Sequence, residues 1–258
     1  MDILTENYKL YLGDCLEVMK EIPDKSVDMI LCDLPYGVER FKTIKGMEWD
    51  KQLDIKKLWE NYNRIIKDDG YIILFAKQPF TSLLVSSNLD MFRYELIWEK
   101  DKGTDFGNAN KKPLNAHENI LVFYKKRGVY NKQLEKGTPY VKVNKRNNEY
   151  GDTNFDMDNS GTWVNEGYRT PKSVIKIARD NIHKGKNFHP TQKPILLCEW
   201  LIKSFTNPNM LVLDNCMGSG TTGIACLNTN RRFIGIELNE KYFDISINRI
   251  FENYNRED

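Results

Sequence analysis

Between Met210 and Glu237 the chain runs through a short apolar stretch, a glycine-bearing turn, a helical stretch and a second apolar run. This β–turn–α–β unit constrains the fold more than any other feature, because it carries chemistry at both strand ends. The first strand, Met210 to Leu213, leads into Asp214-Asn215-Cys216-Met217-Gly218-Ser219-Gly220-Thr221-Thr222. The second, Arg232 to Ile236, delivers Glu237, 23 positions after Asp214, with Leu238 behind it. Gly218 and Gly220 let the backbone turn sharply and approach a ligand closely. The helix behind them aims free N–H groups at that ligand. In nucleotide-binding α/β units an acidic residue at about this spacing binds ribose hydroxyls. A glycine pair alone is only a tight strand-to-helix turn. With an acid at each strand end it points to an adenosine-containing ligand. NAD is disfavoured because the turn lacks the full GxGxxG spacing.

The rest of the chain repeats the alternation of apolar runs and amphipathic stretches, which predicts an α/β fold. Strands are expected at Val27 to Cys32, Tyr71 to Ala76, Tyr94 to Trp98 and Asn119 to Tyr124. Asp54 is expected to cap a helix that runs to about Lys67, with Leu58, Tyr62 and Ile65 on one face and Gly70 closing it. Further helices are expected from Pro79, from Pro194, over Thr221 to Asn228, and from Glu240 through Ile250. From about Lys125 to Lys186 the periodicity dissolves into Asn, Lys, Gly and Asp with spaced aromatics (Tyr130, Tyr140, Tyr150, Phe155, Trp163, Tyr168). So long a non-periodic stretch reads as an ordered insertion with a function of its own. The expected organisation is one domain in two halves, 1–124 and 186–258, interrupted by an insertion over 125–185.

Charge is distributed unevenly. The 258 residues carry a net +2. The window 101–150 holds eleven Lys or Arg against five Asp or Glu, so the remainder is net acidic. A basic middle on a near-neutral chain fits a polyanion-facing surface. Five scattered cysteines form no CxxC pair, and His117, His183 and His189 are too far apart to suggest a metal site; none is expected. No apolar run reaches membrane-spanning length, so no membrane association and a reduced, cytoplasmic setting are the expectation.

Two further segments carry candidate chemistry. Asp33-Leu34-Pro35-Tyr36-Gly37 follows a buried strand. An exocyclic base amine is a poor nucleophile because its lone pair is delocalised into the ring. The Asp33 carboxylate and a loop carbonyl can accept both amino hydrogens and so free that lone pair. Pro35 fixes the loop, and Tyr36 can stack on an extruded base. Catalysis would then be positioning, with reacting atoms held at roughly 3–3.5 Å. By itself this segment reads better as a turn after a strand; it gains weight from the separate adenosine-type site. In His189-Pro190-Thr191-Gln192-Lys193-Pro194, the side chains of Thr191 and Lys193 can hold a carboxylate, or the prolines simply fix a helix entry.

Together these segments resemble the amino-methyltransferases of DNA, the N6-adenine and N4-cytosine enzymes. DLPYG is similar to their catalytic [DNS]PP[YFW] motif, with Leu34 in place of the first proline. DNCMGSGTT resembles their cofactor motif, with Asn215-Cys216 where proline-phenylalanine is usual. Glu237 matches the ribose-binding acid, HPTQKP the segment at the methionine end, and Gly13-Asp14-Cys15 the segment near adenine. The order, with the catalytic motif before the cofactor motif, is that of the permuted β-type group.

The resemblance implies a Rossmann-like methyltransferase fold, a mostly parallel twisted sheet with helices on both faces. It implies S-adenosylmethionine as cofactor, S-adenosylhomocysteine as product, and transfer to N6 of a flipped adenine in double-stranded DNA. The implied catalytic residues are Asp33, Leu34, Pro35 and Tyr36. The implied cofactor residues are Asp14, Cys15, Asp33, His189, Thr191, Lys193, Asp214, Cys216, Gly218, Ser219, Gly220, Thr221, Thr222, Glu237 and Leu238. The insertion is the implied target-recognition segment. A homodimer and a cognate restriction endonuclease are implied companions, in a bacterial or phage-infected cell.

Lys100, Lys102, Lys111, Lys112, Lys125, Lys126 and Arg127 are expected to contact phosphates, which position a duplex without specifying its sequence. Trp98 is either part of the base pocket or core, and His117 and Glu118 carry lower weight at the same sheet end. N4-cytosine methylation, methylation of protein glutamine or RNA, and a non-catalytic DNA-binding module are the competing readings.

Overall fold

In the computed structural model, which describes residues 3–37, 53–144, 161–180 and 192–254, the strand Val27–Asp33 is buried on both faces. Met29 and Leu31 pack into one apolar layer, Ile30 and Cys32 into the other. A strand with two buried faces needs cover on both sides, and helices supply it. In chain order the elements are β1 (Ile3–Leu4), β2 (Tyr8–Leu12), α1 (Cys15–Val18), β3 (Val27–Asp33), α2 (Ile55–Ile65), β4 (Ile66–Ala76), α3 (Phe80–Ser87), β5 (Phe92–Thr104) and β6 (Asn115–Phe123). There follow β7 (Glu135–Lys136), β8 (Tyr140–Asn144), β9 (Gly161–Asn165), β10 (Tyr168–Arg169), β11 (Val174–Lys176), α4 (Ile195–Phe205), β12 (Leu211–Asp214), α5 (Thr221–Leu227), β13 (Arg232–Glu237) and α6 (Glu240–Tyr254).

The main sheet has the order β1-β2-β13-β12-β3-β4-β6-β5-β11. Strands β2, β13, β12, β3 and β4 run parallel, while β6 is antiparallel to both β4 and β5. Leu197 and Leu201 of α4, Ile224 of α5 and Phe243 of α6 join the layer of Met29. Leu58 and Tyr62 of α2 and Leu84 of α3 join the layer of Ile30. Each such side chain, removed from water, contributes about 1.5–3 kcal/mol. The expected α/β class, with a mostly parallel sheet between helices, is what the chain adopts.

This topology sets the rim that matters. The carboxyl ends of the parallel strands bring Leu12, Glu237, Asp214, Asp33 and Ala76 to one edge of the sheet, where open α/β sheets bind ligands. Because β6 is reversed and pairs Asn119 with Ala76, its first residues reach the same edge. With β5, which continues to Thr104, it projects beyond the end of β4.

Local details follow from the residues. Asp54 caps α2, its Oδ1 accepting from the N–H groups of Lys56 and Lys57, as expected. The helix stops at Ile65 rather than at Lys67, and β4 begins at once. Gly70 therefore closes no helix. It lies where the β3–β4 register shifts between Val27 and Met29. A Cβ there would come within 2.9 Å of the Asp28 carbonyl oxygen and 2.8 Å of the Ile66 side chain. Glycine serves close backbone approach at a bulge.

Residues Lys132–Lys172 form a compact unit of their own, and the remaining chain forms the other. The second unit is narrower than the expected 125–185, because residues 125–131 belong to the first unit and Val174–Lys176 is an edge strand of the main sheet, parallel to β5. It holds two antiparallel ribbons, β7 with β10 and β8 with β9. The Arg169 guanidinium lies 4.7 Å from the Tyr140 ring centroid. Val141, Val143, Trp163, Val164 and Tyr168 are exposed. Tyr150, Phe155 and His183 lie outside the described residues. No helix among the described residues is long and apolar enough to cross a membrane.

Candidate active site

The glycine turn is built by its neighbours. Gly218 and Gly220 have φ of 51° and 78°, a region open mainly to glycine. Asp214 points inward: its Oδ1 accepts from the Cys216 N–H at 3.1 Å and its Oδ2 from the Thr222 hydroxyl at 2.6 Å. It shapes the turn from below, and burial pushes its pKa up to about 6. Ser219, Thr221 and Thr222 are buried. Arg249 of α6 donates to the Ser219 carbonyl and hydroxyl, anchoring the turn from outside.

Glu237 is tied to the same turn, its Oε2 accepting from the Gly218 N–H at 2.9 Å and its Oε1 from the Asn239 N–H at 2.8 Å. Burial raises its pKa above the usual carboxylate range. Since β2 lies beside β13, with the Gly13 N–H donating to the Glu237 carbonyl, Asp14 and Cys15 come to the same place. Asp14 caps α1 through the Leu16 N–H. Leu238 is 71% exposed beside Glu237. A carboxylate with remaining lone pairs, an exposed apolar side chain and a left-handed glycine turn fit the ribose and base of an adenosine group.

Asn215 and Cys216, the departures from the usual motif, are accommodated by packing. The Tyr62 hydroxyl donates to Asn215 Oδ1 in the core. The Asn215 side-chain amide donates to Cys216 Sγ at 3.5 Å, and the thiols of Cys15, Cys32 and Cys216 are near enough to influence one another. Burial pushes the Cys32 thiol up to about 12, so it stays protonated and serves packing.

Asp33, at the end of β3, lies next to this turn because β12 and β3 are adjacent, with Leu213 opposite Ile30. Its Oδ1 accepts from the Tyr36 hydroxyl at 3.0 Å, and its Oδ2 accepts from Lys193 Nζ. The Tyr36 ring packs on Phe80 at 5.2 Å between centroids. Leu34 is buried in the core, so its backbone alone is available to the site. Pro35 is half-buried between Leu34 and Tyr36. Burial raises the Asp33 pKa, Lys193 opposes that rise and Glu118 adds to it.

Lys193 is drawn to the catalytic side. It bonds Asp33, lies 3.4 Å from Glu118 Oε2 and sits 5.2 Å from the Phe75 ring centroid. Burial works against its charge, but Asp33 and Glu118 outweigh it and hold the ammonium. Burial likewise pushes Glu118 up, yet Lys193 and Lys100 together hold it below the usual range. His189 and Thr191 lie outside the described residues.

The basic residues separate into three groups. Lys100 is buried in an ion pair with Glu118 and presents no charge to a phosphate. Lys102, Lys111 and Lys112 are exposed on the projecting end of β5 and the loop after it, with Phe106, 68% exposed, among them. Lys125, Lys126 and Arg127 follow β6, whose last residue pairs near Ile72. They lie at the opposite edge of the sheet, beside Asp68, with the Lys126 N–H donating to its carbonyl. All seven were expected to contact phosphates; the reversal of β6 separates Lys125, Lys126 and Arg127 from Lys102, Lys111 and Lys112 along the strand direction. Trp98 is core, its Nε1–H donating to the Ile177 carbonyl at 2.8 Å. Glu118, expected at this sheet end with lower weight, pairs with Lys100 and lies beside Lys193; Phe106 was outside the expected set, and an exposed aromatic in a basic loop was its readable signal.

Comparison with known proteins gives concordant matches. The N6/N4 methyltransferase profile, described as DNA methylase, matches residues 27–248. The Type II methyltransferase M.BglII of Bacillus subtilis is 29% identical over 256 residues, covering 92% of this chain and 67% of its own. The DNA adenine methyltransferase YhdJ of Escherichia coli K12 is 28% identical over 253 residues, with 92% and 81% covered. The crystal structure of the M1.HpyAVI–SAM complex superposes with a TM-score of 0.62 at 25% identity, covering 94% of this chain and 98% of that one.

Proposed function

This chain belongs to the DNA methylase family, uses S-adenosylmethionine, and on that premise we propose that it methylates N6 of an adenine extruded from duplex DNA. The observation that carries the reading is the adjacency of Asp33 and the glycine turn at the ends of two neighbouring parallel strands. When bound, S-adenosylmethionine supplies an electrophilic methyl group on a sulfonium centre. Glu237 accepts from the ribose hydroxyls, Leu238 covers the adenine, and the N–H groups of the turn face the remainder. Asp33 and the Leu34 carbonyl accept the two hydrogens of the base amine and draw its nitrogen toward a tetrahedral shape. Tyr36 offers a ring to the base and steadies Asp33 through its hydroxyl. Preorganised acceptors of this kind act where charge develops and need no covalent intermediate.

Lys102, Lys111 and Lys112 would hold the backbone of the duplex, and Phe106 would lie against the disturbed base pair. The ribbons of Lys132–Lys172, with exposed aromatic and basic side chains, are the proposed reader of target sequence. A DNA substrate puts the work in the cytoplasm of a bacterial or phage-infected cell. A cognate restriction endonuclease is the proposed companion, by analogy with the Type II name of M.BglII.

The test is methyl transfer to duplex DNA followed by mass spectrometry of the nucleosides. N6-methyladenine is expected from the native chain, and none from Asp33→Ala, which should keep its cofactor affinity. N4-methylcytosine would move the target to cytosine. Transfer to RNA or protein alone, or equal turnover by Asp33→Ala, would overturn the proposal.

A further inference from the structure

The charged array beside the catalytic loop leaves one atom out of balance. Among the described residues no donor meets the buried Oε2 of Glu118 in hydrogen-bonding geometry, although Lys193 Nζ forms an ion pair with it at 3.4 Å. The other oxygen of Glu118 already accepts from Lys100. Lys193 donates instead to Asp33 Oδ2, while Tyr36 holds Asp33 Oδ1. The carboxylate that must receive the amine is thus covered, and one oxygen of the carboxylate beside it has no donor in hydrogen-bonding geometry. A buried acceptor without a donor is unfavourable.

We propose that Glu118 is a positioning residue for the methyl-transfer step, the second seat of a two-position lysine. Lys193 leaves Asp33 for Glu118 Oε2 as the exocyclic amine arrives, and returns when the methylated base leaves. The movement needs only a turn at the end of a side chain whose ammonium lies near the Phe75 ring. Two ammonium groups and two carboxylates remain in the array at either position, so its net charge does not change, and the arriving amine takes over as donor to Asp33. The inference rests on the proposed amine methylation and adds to it what clears the acceptor.

Glu118 acts on Asp33 by charge as well. The groups facing the pair are Tyr36 after β3, Lys77 after β4, Lys100 on β5, Lys193 and Cys198 at α4, Asp214 at the end of β12, and Asp180. Glu118 is the carboxylate among them that raises the Asp33 pKa. Removing its charge should therefore move the acid limb of kcat/KM to lower pH.

The test is a double-mutant cycle on the full chain with Glu118→Gln, Lys193→Met and the pair, read by single-turnover methylation of duplex DNA and equilibrium binding of S-adenosylmethionine. Glu118→Gln is expected to slow transfer by about 10²-fold, with cofactor affinity within about twofold and the acid limb displaced downward. On the Lys193→Met background the same change should cost nothing, or restore activity, because no lysine is left to clear. Equal losses on both backgrounds, or wild-type turnover by Glu118→Gln, would overturn the two-position lysine. Should Glu118→Gln fail to fold, Glu118→Asp, which draws the carboxylate back, goes through the same cycle with the same criteria. A native chain that methylates no DNA would defeat the functional reading; a native chain that does, matched by Glu118→Gln, would defeat only the role of Glu118.

Discussion

Oε2 of Glu237 accepts the backbone N–H of Gly218 at 2.9 Å, so the acid that ends β13 is fastened to the turn that follows β12. Substituting Glu237→Ala removes an acceptor for the ribose and loosens the turn together. A hydrogen bond to a charged group contributes about 1.5–3 kcal/mol, so the dissociation constant for S-adenosylmethionine should rise about 10–100-fold. Isothermal titration calorimetry reads it directly, and an unchanged constant would remove Glu237 from the cofactor site.

The separation of basic residues to opposite edges of the sheet predicts unequal salt behaviour. Each phosphate contact contributes about 0.9 to the slope of log K against log salt. Replacing Lys102, Lys111 and Lys112 by alanine should lower the slope of DNA binding by about 2–3. The same treatment of Lys125, Lys126 and Arg127 should leave it unchanged. Fluorescence anisotropy at several salt concentrations checks both, and the reverse pattern would put the duplex on the other edge.

Asp214 should make stability depend on pH. Its pKa is raised by burial from 3.8 to about 6, so the folded state holds the proton more tightly than the unfolded chain. The benefit of the protonated form is complete below pH 3.8 and is lost as pH rises to about 6. At 1.36 kcal/mol per unit the loss is about 3 kcal/mol. Asp214→Asn cannot titrate, so its stability relative to the native chain should improve by up to that amount between the acidic and neutral ends. Urea unfolding at both ends measures the difference; a constant gap between the two proteins would contradict it.

Tyr62→Phe tests how the turn tolerates asparagine at 215. The hydroxyl of Tyr62 is the donor to Asn215 Oδ1, and both residues are buried. Losing it leaves an unsatisfied oxygen and should cost about 1–3 kcal/mol, visible in chemical denaturation. A neutral outcome would mean that Asn215 finds another donor.

Much of this was legible from residue patterns because the governing physics is local. Asp54 caps α2 through its own side chain, and β3 announces burial on both faces by the apolar run Met29 to Cys32. The rim follows from strand direction once the two motifs are recognised. What was not legible depends on contacts across the chain. Gly70 is a helix stop or a bulge by the same letter, and only the close approach of the Asp28 carbonyl decides it. Lys100 reads as surface charge until Glu118 draws it inward. Lys125 to Arg127 read as phosphate contacts like Lys112 until the reversal of β6 carries them to the other end of the strand. Lys193, 160 positions from Asp33, carries no sign in its own segment that a protein carboxylate is its partner. Strand β11, three residues long at the sheet edge, is too short for periodicity to reveal.

The strand order has a consequence for how the molecule is made. Strands β12 and β13 enter between β2 and β3, so residues 211–237 fill a gap in a sheet begun by residues 8–33. Until the ribosome has released that segment, β2 has no flank but β1, and β3 keeps an open side. Pairings between such distant stretches form late. A chain stopped before residue 210 should therefore be not a weaker version of this protein but an aggregation-prone fragment with bare hydrogen-bonding edges, which makes termination there far more damaging than a loss confined to residues beyond β13.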